Sequence, residues 1–133
     1  MFDQEPKQLL LLIDGNALVH RAWHAIQRPL NLSSTGEDVR GVFGFINTFF
    51  KVISDWNPTH CAIAFDLPGP TFRHKIFDQY KAHRPKTPDD LRNQFTWVRK
   101  VVDTFKIPVF ESEGYEADDV LATLSKTARQ KAL

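Results

Sequence analysis

One cysteine in 133 residues, Cys61, rules out an intrachain disulfide and a cysteine-built zinc site. It lies in an apolar run, which predicts a buried core thiol, and a reducing cytoplasm is the expected compartment. The five histidines show neither zincin nor zinc-finger spacing. No apolar run approaches the ~20 residues that span a bilayer. The first residues, Met1-Phe-Asp-Gln-Glu-Pro6, are acidic and lack a signal-peptide pattern, so no membrane association is expected. The net charge is only +1, which removes any global basic signal for nucleic acid and makes such a signal local if it exists. There is no internal repeat and no low-complexity tract. What is present is 42% hydrophobic residues, enough for one domain with a real core.

Leu9-Leu-Leu-Leu-Ile13 is apolar without alternation, as expected of a strand buried on both faces of a parallel sheet. It runs into Asp14-Gly15-Asn16 and a helix carrying Ala17, Leu18, Arg21, Ala22 and Ala25, which Pro29 ends. Polar residues 31–38 form a loop. Val39 to Trp56 is a second helix, with Val42, Phe43, Ile46, Phe49, Phe50 and Ile53 at helical spacing. Gly41 and Gly44 within it predict close backbone packing on a neighbour. His60 to Phe65 is a second buried strand, ending in Asp66. From Pro88 a helix presents Leu91, Phe95, Val98, Val102 and Phe105, and Ile107 to Phe110 is a short third strand. Gly114 turns into a final helix whose apolar face carries Ala117, Val120, Leu121, Leu124 and Ala128.

The order strand, helix, helix, strand, helix, strand, helix implies an α/β fold with a mostly parallel sheet and right-handed crossovers. In such sheets the functional crevice lies beyond the carboxyl ends of the strands. Asp14 and Asp66 sit at two such ends, and Glu116, Asp118 and Asp119 open the helix after the third. Acids in a first helical turn are ordinary, because the helix dipole favours them. Three together repel one another, and a bound cation relieves that repulsion. The bland reading is a well-capped helix; the sharper one is a hard-metal site of oxygen ligands fed by all three strand ends. Such ligands favour Mg²⁺ or Mn²⁺ over zinc. A carboxylate-held ion suits hydrolysis of a phosphodiester.

Between Thr71 and Arg92 the balance turns basic, with Arg73, Lys75, Lys81, Arg84, Lys86 and Arg92 interleaved with Phe72, Phe77 and Tyr80. Cations neutralise phosphates, and an aromatic ring stacks on an unpaired base for about 1–3 kcal/mol. The alternative is a solvated helical connection whose aromatics, Phe77 in particular, face the core.

Taken together, Ile13-Asp-Gly-Asn16 with Arg21, Gly41-Val-Phe-Gly-Phe45, Ala64-Phe-Asp66, Thr71-Phe-Arg73, Tyr80-Lys-Ala-His-Arg84, Pro88-Asp-Asp-Leu91 with Gln94, and Glu116-Ala-Asp-Asp-Val120 form a specific set. In order and spacing the chain resembles the N-terminal 5′-nuclease domain of bacterial DNA polymerases I, within the flap endonuclease family. The resemblance implies a PIN-like (Rossmann-like) α/β domain over residues 1–133, with the start of a helical gateway at about 71–92. It implies a metal-dependent 5′-3′ exonuclease or flap endonuclease using Mg²⁺ or Mn²⁺, with two ions in the complete domain. The partner would be DNA with a free 5′ end, bound by a monomer in the bacterial cytoplasm at the nucleoid. Asp14, Asp66, Glu116, Asp118 and Asp119 match the metal carboxylates, and Lys81 matches the active-site lysine, acting with Asp14 and Asp66 in catalysis. Arg21 and Arg84 match positions near the phosphate, Tyr80 an aromatic that packs on a base, and Arg73 a backbone contact. By the same resemblance, further aspartates for a second ion and a helix-hairpin-helix element are expected beyond Leu133, leaving helix faces partly uncovered. Two other readings compete: a non-catalytic nucleic-acid-binding module, and a PIN-type ribonuclease that would not need the Tyr80–Lys81 gateway.

Overall fold

The computed structural model describes residues 7–82 and 88–131. Strand β1 is Leu10–Asp14, helix α1 Gly15–Ala25, α2 Arg40–Trp56, β2 His60–Ala64, α3 Phe72–Ile76, α4 Asp89–Thr104, β3 Val109–Phe110 and α5 Ala117–Gln130. The expected elements are all present, and α3 is an addition. It lies in the basic segment, where five helical residues are too few to show a period. A reciprocal box between Thr71 and His74 caps it.

The three strands form one parallel sheet in the order β1-β2-β3. Strand β2 is central, and its Ala62, Ile63 and Ala64 are buried. Among the described residues, strand β1 pairs only with β2, and all five of its residues stay partly accessible although the apolar run suggests full burial. Strand β3 is two residues long, because Pro108 before it has no N–H for a ladder. Pro108 still contributes its carbonyl, which accepts from the Ile63 N–H at 3.0 Å.

Helices α1, α2 and α4 pack together on one layer, around Val19 and Trp23 of α1, Phe45 and Phe49 of α2, Ile63 and Phe65, and Leu91, Val98 and Val102 of α4. Full burial of one such side chain contributes about 1.5–3 kcal/mol. Gly44 is what lets α1 and α2 approach: a Cβ there would lie 2.7 Å from the Ala22 Cβ. The loop from 26 to 39 is stapled rather than loose. The Arg40 guanidinium lies 3.4 Å from the Trp23 ring centroid and 3.0 Å from Asp38, whose other oxygen accepts from the Leu30 N–H at 3.2 Å.

Helix α5 packs on β1 and β2 and contributes nothing to that cluster. Only Ala117 of α5 is buried, and Val120, Leu121, Leu124 and Ala128 are half-buried. Phe77 is 59% exposed, which contradicts its reading as a core residue. It follows α3 at the start of the strap that leads to Tyr80 and Lys81, and its N–H donates to the Arg73 carbonyl at 2.8 Å.

Helix α2 has no side-chain cap of its own, and Gln94 of α4 supplies one. Gln94 is 1% exposed, and its Oε1 accepts from the Gly41 N–H and, at 3.1 Å, from the Val42 N–H. Replacing Gln94 by leucine strands two buried N–H groups, each costing about 1–3 kcal/mol. We expect urea unfolding to show a loss of about 2–4 kcal/mol, whereas a change under ~0.5 kcal/mol would mean that water replaces this cap freely. Burial pushes the Cys61 thiol up, in keeping with its half-buried place in β2. Alkylation at pH 7.5 should therefore be at least ~10-fold slower in the native protein than in urea; equal rates would contradict a protected thiol.

Candidate metal centre

The three strand ends meet as the topology requires. Asp14 closes β1 and is the N-cap of α1, its Oδ1 accepting from the Ala17 N–H at 3.0 Å. The turn is tight because Gly15 lies under Phe65: a Cβ there would come within 2.5 Å of the ring. Asp66, two residues beyond β2, is fixed from both sides. Its N–H donates to Asn16 Oδ1 at 2.9 Å, and its Oδ1 accepts from the Ala117 N–H at 2.5 Å. That second bond joins the β2 loop to the start of α5. Asn16 belongs to the sequence motif without a stated role, and the structure makes it the brace of Asp66.

Glu116 is the N-cap of α5 and forms a reciprocal capping box with Asp119. Asp118 lies against Asp14, with Asp66 nearby. Burial, then these two carboxylates, push the Asp14 pKa up, and the Ala17 N–H partly offsets them. Like charges held this close are a donor set that a hard cation fits. As the side chains stand, no three His, Cys, Asp or Glu among the described residues are grouped tightly enough to hold an ion. Glu116 and Asp119 are turned instead to cations of the protein itself.

Those cations come from the basic segment. Arg73 spans the Asp119 carboxylate at 2.7 and 2.8 Å and reaches Glu116 Oε2 at 2.8 Å. The hydrogen bond from Arg73 holds the Asp119 carboxyl below its ordinary range, and that same bond drives the guanidinium further up. Lys81 Nζ lies 2.6 Å from Glu116 Oε1, and the Tyr80 hydroxyl donates to Glu116 at 3.3 Å. Lys81 takes a left-handed backbone, φ 57°, a conformation costing a β-carbon residue about 1–2 kcal/mol. Among the described residues, Asp14, Asp66 and Asp118 form no ion pair.

The structure thus gathers Asp14, Asp66, Glu116, Asp118, Asp119, Tyr80 and Lys81 on one edge. Arg21 is exposed on α1 and shares a cleft of about 280 Å³ with Asp14 and Thr48. Arg73, which the resemblance matches to a DNA-backbone contact, has its guanidinium on Asp119 and Glu116. Arg84 lies outside the described residues, with the rest of residues 83–87 of the expected gateway stretch 71–92. Among the described residues no helix is long and apolar enough to cross a membrane.

Residues 9–133 match the family described as the 5′-3′ exonuclease, N-terminal resolvase-like domain. The chain is 40% identical over 124 residues to DNA polymerase I of Bacillus subtilis, covering 93% of this chain and 14% of that protein. It is 43% identical over 119 residues to DNA polymerase I of Borreliella burgdorferi, covering 90% of this chain and 13% of the other. It therefore spans about a seventh of the length of the curated relatives it matches. A structure of T5 5′-exonuclease with divalent zinc bound superposes with a TM-score of 0.65 at 21% identity, covering 93% of this chain and 45% of that one. A T5 flap endonuclease complex with DNA and metal ions gives 0.61 at 20% identity, covering 91% and 44%. At that identity the likeness establishes the fold alone, a PIN-like α/β sheet with helices on it. The acid-tipped parallel sheet and a family match along nearly all of its length place this chain among the N-terminal resolvase-like domains of the 5′-3′ exonucleases.

Proposed function

We propose that the chain is the metal-dependent nuclease part of a DNA polymerase I, cleaving DNA phosphodiesters from a free 5′ end, as at flaps. The observation that carries this reading is the convergence of Asp14, Asp66 and Asp118 on the edge where the strands end, with Asp118 against Asp14 and none of the three in an ion pair among the described residues, beside Lys81 and Glu116. Asp14, Asp66, Glu116 and Asp118 would hold Mg²⁺ or Mn²⁺. Bound there, the ion supplies a more acidic water and neutralises charge on the reacting phosphate. In the complete domain we propose two ions, as the family resemblance implies.

The remaining chemistry belongs to side chains. The Lys81 ammonium offsets negative charge as it builds on the scissile phosphate. The Tyr80 ring, with the Lys81 ammonium 5.2 Å from its centroid, packs on the unpaired base beside it. Arg21 and Arg84 neutralise flanking phosphates. The substrate is a flap or nicked duplex, and the protein acts as a monomer on chromosomal DNA in the cytoplasm.

The test is cleavage of a 5′-labelled flap by the protein at its full natural length, on matched DNA and RNA flaps, with and without EDTA. EDTA-sensitive release of short 5′ products from DNA is expected. Preferential cleavage of the RNA flap would make it a ribonuclease, and binding without cleavage a non-catalytic module.

A further inference from the structure

The acid edge is in two halves. Asp14, Asp66 and Asp118 form no ion pair among the described residues, whereas Glu116 and Asp119 are held by Arg73 and Lys81. Within the second half the two acids are not alike. Both Asp119 oxygens face the Arg73 fork, and its Oδ2 also accepts from the Glu116 N–H at 3.0 Å. Paired, parallel bonds of this kind are among the strongest a carboxylate makes. Glu116 receives one Arg73 nitrogen on Oε2 and Lys81 on Oε1, and shares a weak bond with Tyr80.

Arg73 also has a second connection. It sits on α3, whose first residue Phe72 donates its N–H to the Gly114 carbonyl at 2.8 Å, and whose Phe72 ring packs on Tyr115 at 5.5 Å. The strap that ends in Tyr80 and Lys81 is therefore fastened to the start of α5 at this point.

Resting on the nuclease reading, we infer that Asp119 is not a metal ligand but half of an Arg73–Asp119 clamp, which positions Glu116 for the metal and holds the Lys81 strap over it. Asp119 fixes the guanidinium, and the guanidinium orients Glu116 through its spare N–H. Arg73 and Asp119 are then positioning residues that act as one unit, and the metal set among the described residues is Asp14, Asp66, Glu116 and Asp118.

The test combines Mn²⁺ binding by electron paramagnetic resonance with a double-mutant cycle in single-turnover flap cleavage, using Arg73→Gln, Asp119→Asn and both together. Asparagine keeps the box to Glu116, and glutamine keeps a polar but shorter, uncharged arm at this part-exposed position, so folding is preserved; melting curves check it. Asp119→Asn, which removes a positioning partner, should weaken Mn²⁺ binding no more than about tenfold, whereas Asp118→Asn, which removes a ligand, should weaken it at least ~30-fold. Each clamp variant should slow cleavage about 10- to 100-fold, and the double variant no further than the worse single. Arg73→Lys should restore only part of the rate, since an ammonium lacks the fork. Mn²⁺ binding lost in Asp119→Asn as fully as in Asp118→Asn would overturn the inference, as would single effects that multiply in the double variant. If wild-type protein binds Mn²⁺ but cleaves nothing, the nuclease reading fails, and the Mn²⁺ comparison of Asp119 with Asp118 still decides the clamp.

Discussion

Asparagine at position 14 should reduce flap cleavage on the order of 1000-fold, about 4 kcal/mol of barrier, while flap binding stays within about threefold. Asp14 has two tasks that this substitution separates. Its Oδ1 caps α1 through the Ala17 N–H, and asparagine is as good an N-cap as aspartate. Its negative charge lies against Asp118 and near Asp66, and asparagine removes it. The fold therefore survives, and loses some like-charge repulsion, while the ion loses a ligand that a neutral amide replaces poorly. Alanine would confuse the two by also removing a cap worth about 1 kcal/mol. Single-turnover cleavage and flap affinity, measured side by side, check the expectation. Wild-type cleavage by Asp14→Asn would remove Asp14 from the site.

Lys81→Ala should slow the chemical step about 100- to 1000-fold, as does removal of other groups that meet transition-state charge. Substrate affinity should fall less than about fivefold, because one of several phosphate contacts is lost. Stability should scarcely move. The Lys81–Glu116 pair is a third exposed on the lysine side, and such pairs contribute about 0–1 kcal/mol. Single-turnover rates over a range of enzyme concentrations separate rate from affinity. An unchanged maximal rate with weakened affinity would make Lys81 a phosphate anchor only.

Much of this was legible from the residues because two kinds of pattern coincide. Apolar runs without alternation mark parallel strands, and each of the three ends in an acid. Parallel topology then forces those acids to one edge, and Asp14, Asp66 and the Glu116 turn are found there. The Glu116–Asp119 spacing is a capping box, which local sequence encodes. Contacts made across long stretches of chain were not legible. Arg73 finds Asp119, 46 residues away, and nothing in a basic run tells which of its cations will turn inward. Gln94 is a polar residue on the apolar, buried side of α4, and its task is set by α2, 52 residues earlier. Helix α3 is too short for periodicity, and the exposure of Phe77 follows from where that strap leads. Pro108 shortens β3 to two residues, where the apolar run Ile107 to Phe110 suggests four.

The central claim is that the acids at the strand ends hold a divalent cation. Its most direct test is titration of the chain with Mn²⁺, followed by electron paramagnetic resonance, in wild-type protein and in the double variant Asp14→Asn, Asp118→Asn. Saturable binding in the wild type that Mg²⁺ displaces, and that the double variant loses by at least ~100-fold, is the expected result. Equal binding by the two proteins would contradict the account, because the cation would then sit somewhere other than the edge on which the strands converge.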